Sequence, residues 1–188
     1  MIIVDGELPW CGRLAWRELR DVSAVVLHAT ETPDLAAARQ VAMESVDDDC
    51  VGVCGHLYLD RDGTCVRFVP LNRIANHVRG HNRHTIGIEL VNAGRYPHHF
   101  DSRHQDPSEP FPDQQIAALE QLLVWLRRSC PNLAKLVRHS DLDQDMVPAS
   151  DNPRLRVQRR IDPGPRFPWD RAKAAWIAAP EAGDAGTM

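Results

Sequence analysis

The chain has 188 residues, 43% of them hydrophobic and 26% charged, which is enough for one sizeable core and too little for two full domains. Its formal net charge of -4 argues against a nucleic-acid-binding protein, and no apolar run approaches the roughly 18 residues needed to cross a bilayer. We therefore expect one globular domain over residues 1–178 and a small, polar, disordered tail over residues 179–188.

The N-terminus and the cysteines bear on where the protein is made and on its redox state. Residues 1–7 contain no basic segment and soon meet an acid, so they do not resemble a secretory signal, and we expect synthesis in the cytoplasm. The cysteines are odd in number, lie in apolar settings and lack C-x-x-C spacing. We expect reduced, mostly buried thiols at Cys11, Cys50, Cys54, Cys65 and Cys130.

The first strand and helix signals lie between residues 22 and 45. The apolar, β-branched run 22–27 predicts a buried strand that carries His28 at its C-terminal end. The Thr-Pro-Asp sequence at 32–34 predicts a helix start with Thr32 as the N-cap and the proline in the first turn. This helix should continue to about Ser45.

A hairpin and a second buried strand come next. Two short strands, 55–60 and 65–69, flank an Asp-Gly sequence that predicts a tight turn. The run 85–91 predicts another buried strand, in which Gly87 would let neighbouring backbone approach closely. Glu89 lies inside this strand, where a carboxylate is costly to bury, so its presence indicates a special role.

A long loop and an amphipathic helix follow. Residues 94–112 are polar and aromatic, with several prolines and histidines, which predicts a surface loop of the kind that forms the walls of sites. The next helix ends before Pro131 and should lie on the sheet, because its apolar residues recur at helical spacing. These residues are Ile116, Leu119, Leu122, Leu123 and Leu126.

The C-terminal part repeats the alternation of strand and helix. A short strand over residues 136–139 delivers His139 at its end, and residues 169–177 predict a last helix. Between them lies a polar stretch, residues 140–158, here called the polar excursion. The whole pattern predicts an α/β fold with a central mixed β-sheet flanked by helices, in which ligands gather at strand ends.

His28, Glu89 and His139 lie at or near such strand ends, and two of them, together with Asp162, could bind a metal ion. Catalytic zinc needs about three protein ligands from imidazole, carboxylate or thiolate groups, and an open position for water. His28, His139 and Asp162 meet this requirement. Their spacing is too long for a local motif, and a histidine taken alone is more often structural, so the residues by themselves leave both interpretations open.

Four stretches of the sequence resemble the zinc-dependent N-acetylmuramoyl-L-alanine amidases of type 2, which share the peptidoglycan-recognition-protein fold. This group includes muropeptide-recycling enzymes and phage endolysins. The matching stretches, in order, are 25–30 (VVLHAT); 55–64 (GHLYLDRDGT) with 69–70 and 75–77; 85–92 (TIGIELVN); and 138–142 (RHSDL) followed by 160–165 (RIDPGP). The resemblance covers residues 22 to 169 and implies the same mixed α/β fold.

The resemblance also implies roles for individual residues. Zinc would be bound by His28, His139 and Asp162, with Glu89 as the catalytic general base. Arg160 stands where the family usually has a lysine that steadies the oxyanion, and it keeps the positive charge; the alternatives are a contact with a substrate carboxylate and a surface position. Beyond the resemblance, substrate contacts are predicted for His77, Arg79, Asn92, Arg154 and Arg156, and a purely structural role is the alternative for His77 and Arg79. Arg154 and Arg156 lie in the polar excursion, which would form a lid or a rim beside an acidic stem peptide.

The expected function is hydrolysis of the amide between N-acetylmuramic acid and L-alanine of peptidoglycan or muropeptides, with Zn²⁺ as cofactor. Two alternatives stay open: a peptidoglycan-binding module without catalysis, and a zinc peptidase that acts within the stem peptide. The setting is also open among cytoplasmic recycling, export through a phage lysis pore and delivery as a toxin. The sequence carries no signal for oligomeric state.

Overall fold

The computed structural model of the chain describes residues 2–44 and 51–179. The predicted helix end at Ser45, the thiol of Cys50 and the predicted tail beyond Ala179 lie outside this range. No helix in the described residues is both long and apolar enough to span a membrane. The described cysteines, Cys11, Cys54, Cys65 and Cys130, are free and buried, as expected for reduced thiols.

The described residues contain strands and helices in alternation. The strands are β1 (Ile3–Asp5), β2 (Ala24–Ala29), β3 (Leu57–Leu59), β4 (Cys65–Arg67), β5 (Thr85–Leu90), β6 (Lys135–Arg138), β7 (Met146–Pro148) and β8 (Arg156–Gln158). The α-helices are α1 (Leu35–Glu44), α2 (Asp113–Ser129), α3 (His139–Leu142) and α4 (Trp169–Ala178). Short 3-10 helices occupy Cys11–Arg13, Leu19–Asp21 and Asn82–His84.

Six of the strands form one mixed sheet with the order β1-β4-β3-β5-β2-β6. The hairpin β3-β4 is antiparallel, whereas β5 pairs in parallel with both β3 and β2, and β2 pairs in parallel with β6. The central strands β2 and β5 are buried along their whole length, as parallel strands covered on both faces usually are. Their register places His28 directly beside Glu89.

The helices cover the two faces of this sheet unequally. The apolar face of α2 packs on one face, together with α4, and its predicted core residues Ile116, Leu119 and Leu122 are fully buried. On the other face α1 and the N-terminal segment pack in a separate cluster around Tyr58 and Phe68. Successive side chains of a strand point to opposite faces of the sheet. If one residue packs against α2, the next residue along the strand therefore points to the second face. His28 and Glu89 follow Leu27 and Ile88 in this way, so both face away from α2.

Several element ends differ from the sequence-based prediction, among them both ends of β2, the start of α1 and the end of β6. The predicted N-cap, Thr32, is wrong: α1 begins at Leu35, and the carboxylate of Asp34 accepts a hydrogen bond from Ala37 N–H at 2.7 Å. The hydroxyl of Thr32 instead contacts Thr30 Oγ1 at 2.9 Å. Strand β6 ends at Arg138, and His139 is the first residue of α3.

The polar excursion contains regular structure that the sequence did not predict. Residues Met146–Pro148 and Arg156–Gln158 pair as an antiparallel two-stranded ribbon, separate from the main sheet. Both strands have only three residues and are mostly exposed, so the sequence shows no run of alternating apolar residues. Strand β1 was missed for the same reason, because it is a short, largely exposed edge strand.

Arg17 is a buried arginine that ties the start of β5 to the rest of the fold. Its side chain is almost fully buried, and its guanidinium donates to the carbonyl oxygens of Leu71, Asn82, Arg83 and Thr85 at 2.7 to 3.0 Å. Burial lowers the pKa of Arg17 to about 10, so it remains charged near neutral pH. This anchor holds the turn that precedes β5, and thereby the strand that carries Glu89.

Candidate active site and metal centre

Three elements bring the predicted metal ligands together. His28 points from β2 to the face opposite α2, and His139 begins α3 directly after the neighbouring strand β6. Asp162 follows the ribbon, and its carbonyl oxygen accepts a hydrogen bond from Ser140 N–H at 3.1 Å. This backbone contact attaches the Asp162 segment to the first turn of α3, next to His139.

The ligand atoms of the three residues converge on one point. His28 Nδ1 lies 2.9 Å from His139 Nδ1, and Asp162 Oδ2 lies 3.2 and 3.0 Å from these two nitrogens. Ligands bound about 2.0 to 2.1 Å from a tetrahedral zinc ion are roughly 3.3 Å apart, so the spacing is close to that of a coordination shell. All three side chains are buried. The group can therefore hold a metal ion.

The charge states of the group also suit a metal ion. Burial lowers the pKa of His28 to about 4, so its imidazole is neutral at physiological pH. Burial disfavours the charged form of Asp162, but hydrogen bonding, first of all with His139, outweighs this and holds the pKa of its carboxyl well below the usual range. Its second oxygen, Oδ1, is buried with no hydrogen-bond partner among the described residues. Neutral imidazoles and a carboxylate are the forms that bind metal.

Glu89 lies beside this group on the neighbouring strand. Its Oε1 is 3.9 Å from His28 Nδ1, and the side chain is buried. Burial raises the pKa of Glu89 to about 8, with a further contribution from the charge of Asp162. A Cβ on Gly55 would lie 2.7 Å from Glu89 Cγ, so the glycine leaves room for the carboxylate arm.

His77 lies on the other side of His28. Its Nδ1 is 3.0 Å from His28 Nε2, and its ring packs against Gly87 so closely that a Cβ there would be 2.6 Å from Nδ1. The prediction that Gly87 admits neighbouring backbone is therefore corrected, because the group that approaches it is a side chain. Burial lowers the pKa of His77 well below its ordinary value, so the ring is neutral.

A cavity of about 290 Å³ opens above these residues. Its floor contains the three candidate ligands together with Glu89 and His77. The rest of the lining includes both apolar and polar side chains. The apolar ones include Ala38, Val41 and Val53, and the polar ones include Glu31, Thr32, His99 and Arg160. Because His99 belongs to residues 94–112, the predicted surface loop does form part of a wall.

Four of the predicted substrate contacts lie outside the residues that line this cavity. Arg79 is exposed, 3.9 Å from Asp145, and Arg154 is exposed at the ribbon. Arg156 donates to the carbonyl oxygen of Met146 within the ribbon. Asn92 is buried, and its Oδ1 accepts a hydrogen bond from Gly94 N–H at 2.9 Å. Their contact with substrate remains a prediction.

A buried ion pair that the sequence analysis missed connects the cavity wall to the metal-ligand segment. Arg95 donates to both carboxylate oxygens of Glu31, at 2.7 and 3.0 Å, and neither side chain is appreciably exposed. The same guanidinium donates to the carbonyl oxygens of Gln158 and Arg159, at 2.9 and 3.1 Å. It thereby fixes the chain just before Arg160. The partners are 64 residues apart, so no local sequence pattern signals the pair.

The fold and the site together are those of an α/β protein with a mixed sheet and a buried His-His-Asp group that could hold a metal ion. The chain belongs to the N-acetylmuramoyl-L-alanine amidase family, whose match spans residues 18–165. This confirms the resemblance inferred from the four sequence stretches.

Individual relatives are distant but cover most of the chain. The endolysin of Enterobacteria phage K11 is 24% identical over 161 residues, which cover 85% of this chain and 98% of the relative. The structure of the N-acetylmuramoyl-L-alanine amidase LysC from Clostridium intestinale URNW matches with a TM-score of 0.61 and 22% identity, covering 93% of this chain and 96% of LysC.

A further structure resembles this chain with a TM-score of 0.59 and 22% identity: the N-acetylmuramyl-L-alanine amidase AmiD from E. coli, in complex with the substrate anhydro-N-acetylmuramic acid-L-Ala-D-gamma-Glu-L-Lys. The match covers 82% of this chain and 57% of AmiD. At these identities the structural likeness shows the fold, and it confirms the predicted α/β architecture.

Proposed function

We propose that this protein is a zinc-dependent hydrolase that cleaves the amide between N-acetylmuramic acid and L-alanine in peptidoglycan or muropeptides. The observation that carries the proposal is the convergence of His28, His139 and Asp162 to within 3.2 Å, beside the buried Glu89 and below an open cavity. The family to which the chain belongs supports the same chemistry.

The donor set fits zinc. Two imidazole nitrogens and one carboxylate oxygen form a ligand type that is common in catalytic zinc sites, and His28, His139 and Asp162 would hold the ion with three protein ligands, as catalytic sites usually do. When bound, zinc supplies a Lewis acid that polarises an amide carbonyl and makes water more acidic. The unpartnered Oδ1 of Asp162 is consistent with this interpretation, because a buried carboxylate oxygen without a hydrogen bond is costly unless a cation compensates it.

Glu89 would act as the general base and then as the general acid. Its carboxylate would accept a proton from the attacking water and later donate it to the leaving amine of L-alanine. A pKa of about 8 in the metal-free protein keeps the group mostly protonated at neutral pH. A cation in the neighbouring site would lower this pKa, because a nearby positive charge favours the carboxylate.

Arg160 would stabilise the negative charge that develops on the amide oxygen. It lines the cavity together with Asp162, and its charge acts on both His28 and Glu89. Arginine remains protonated throughout such a reaction, so its contribution is electrostatic and it does not take part in proton transfer.

The substrate assignment rests on the cavity and on AmiD. AmiD was solved with an anhydro-muramyl tripeptide, and the cavity here has both polar and apolar lining residues, which suit a ligand that carries sugar and peptide groups. We further propose that Arg154 and Arg156, on the exposed ribbon, bind carboxylates of the stem peptide. The K11 endolysin supports a lytic setting, with recycling and toxin delivery as the alternatives.

The test is product analysis with defined muropeptides. Purified protein would be incubated with an anhydro-muramyl tetrapeptide after treatment with chelator, and again after zinc is restored, and products would be identified by mass. We expect release of the intact stem peptide with a free L-alanine amine, only in the presence of zinc. Glu89→Gln should reduce the rate by at least about 100-fold while zinc binding is retained.

Other products would support the alternatives. Cleavage within the stem peptide would replace the proposal with a zinc peptidase. Binding of the muropeptide by zinc-loaded protein without any cleavage would instead identify a recognition module. Joint replacement of Arg154 and Arg156 by alanine should raise the Michaelis constant and leave kcat unchanged, and an unchanged Michaelis constant would remove the ribbon from the substrate site.

A further inference from the structure

A chain of hydrogen bonds runs from His28 to a backbone carbonyl on the side away from the metal site. His28 Nε2 lies 3.0 Å from His77 Nδ1, and His77 Nε2 lies 3.1 Å from Thr85 Oγ1. Thr85 Oγ1 in turn lies 2.9 Å from the carbonyl oxygen of His81. The three side chains are 2%, 7% and 5% exposed, so bulk water does not compete for these contacts.

The direction of each hydrogen bond follows from the carbonyl end. A carbonyl oxygen can only accept, so the single hydroxyl hydrogen of Thr85 points to His81. Toward His77 the hydroxyl can then only accept, which requires a hydrogen on His77 Nε2. A neutral imidazole carries one N–H, so His77 Nδ1 is an acceptor and His28 donates to it from Nε2.

This direction determines what His28 presents to the metal site. With its hydrogen on Nε2, His28 has a free lone pair on Nδ1, which faces His139 and Asp162. The Asp162 carboxylate, 3.2 Å from Nδ1, would otherwise favour the opposite tautomer, whose Nδ1–H cannot bind a metal ion. The contact with His77 therefore competes with Asp162 for the hydrogen of His28.

Gly87 is required for this arrangement. It lies inside the buried strand β5, where glycine weakens a sheet, yet a Cβ at this position would lie 2.6 Å from His77 Nδ1. Only glycine leaves the His77 ring in hydrogen-bonding distance of His28. A larger residue at position 87 would stabilise the sheet, but it would exclude the His77 ring.

We infer that Thr85, acting through His77, holds His28 in the tautomer that binds a metal ion. The inference rests on the proposed metal site and deepens it. His77 lines the cavity floor and also contacts the metal-ligand candidate His28 on the side away from the metal site. Thr85 and His77 are both positioning residues. Neither is among the residues to which the family resemblance assigns metal ligation.

Zinc affinity tests the inference without reference to amidase activity. Dissociation constants would be measured by competition with a chromophoric chelator for the wild type, Thr85→Val and Thr85→Ser. Valine has nearly the shape of threonine and no hydroxyl, so we expect zinc to bind about 10-fold to 100-fold more weakly. Serine restores the acceptor and should restore the affinity. Thr64→Val, at an exposed position in the β3-β4 turn, is the matched control and should bind like the wild type.

Nitrogen-15 NMR of the metal-free wild type provides a test that needs no variant to fold. Long-range correlations of the imidazole rings distinguish Nε2–H from Nδ1–H, and we expect Nε2–H on both His28 and His77. Observation of Nδ1–H on either ring, or equal zinc affinity of Thr85→Val and wild type, would overturn the inference and leave the metal site intact. A wild type that binds no zinc would instead remove the proposed function.

Discussion

Glu89 illustrates how surroundings decide the chemistry of a single residue. The same side chain in an exposed position would ionise well below neutral pH, whereas here it is buried beside Asp162 and its pKa rises from 4.5 to about 8. The strand register accounts for this, since it sets Glu89 beside His28 and turns both toward the cavity. Because Glu89 keeps its proton in the folded, metal-free protein, the stability of that protein should depend on pH.

We expect the metal-free wild type to lose stability relative to Glu89→Gln as the pH rises from about 4.5 to about 8. In this range the unfolded chain has released the proton of Glu89 and the folded chain retains it, so folding requires proton uptake. Each pKa unit corresponds to about 1.4 kcal/mol, which makes the difference on the order of a few kcal/mol near pH 8. Urea unfolding of both proteins with chelator present would measure it. A difference that stays constant with pH would contradict the raised pKa.

At the scale of elements, polar side chains fix the positions of segments that carry the site. Arg17 binds four backbone carbonyl groups around the start of β5. Arg95 joins the loop 94–112 to Glu31, just beyond β2, and to the chain before Arg160. Glu31 itself has a φ of +49°, a left-handed conformation that is unfavourable for glutamate and that the pair with Arg95 helps to maintain.

Arg95→Ala should destabilise the protein by about 3 to 5 kcal/mol, because it leaves the buried Glu31 carboxylate without a partner. Arg103→Ala is the matched control in the same loop. Its side chain is 72% exposed, and we expect a loss of at most about 1 kcal/mol.

A double variant separates lost charge compensation from lost packing. Adding Glu31→Gln to Arg95→Ala removes the uncompensated charge, so the double variant should be more stable than Arg95→Ala alone. Urea unfolding measures all of these proteins. Equal losses for Arg95→Ala and Arg103→Ala would mean that the buried pair does not hold the loop.

For the whole molecule, the candidate metal centre connects segments that are far apart in the chain. His28 and Asp162 are separated by 134 residues, and His139 comes from a third segment. The unfolded chain cannot bring these ligands together, so a metal ion should bind the folded state selectively and stabilise it.

Zinc at about 100 times its dissociation constant should add about 2.7 kcal/mol to the stability of the chelator-treated protein. For a chain of this size this corresponds to an increase in Tm of roughly 5 to 11 °C. His139→Ala removes one ligand and should abolish the increase, whereas His104→Ala, on the half-exposed surface of the loop, should retain it. Scanning calorimetry with and without zinc would measure the shift. An equal increase in His139→Ala would indicate a zinc site elsewhere.

The sequence alone determined the features that depend on local periodicity. The amphipathic pattern from Ile116 to Leu126 predicted α2, and the apolar runs predicted β2 and β5, because burial of one helix face or of a whole strand imposes a repeat on neighbouring residues. The Asp-Gly turn predicted the β3-β4 hairpin for a similar local reason. The candidate ligands could be grouped by residue type alone, although only the family resemblance favoured a metal site over separate structural histidines.

Only the tertiary structure decided which distant residues meet. Sheet order brings β5 beside β2. In this arrangement His77 contacts His28, and Gly87 leaves the space that the His77 ring occupies. The Glu31–Arg95 pair and the carbonyl contacts of Arg17 likewise join residues that are far apart in the chain. The packing of the whole sheet determines which distant side chains meet. The residues next to such a side chain in the sequence therefore do not indicate its partner.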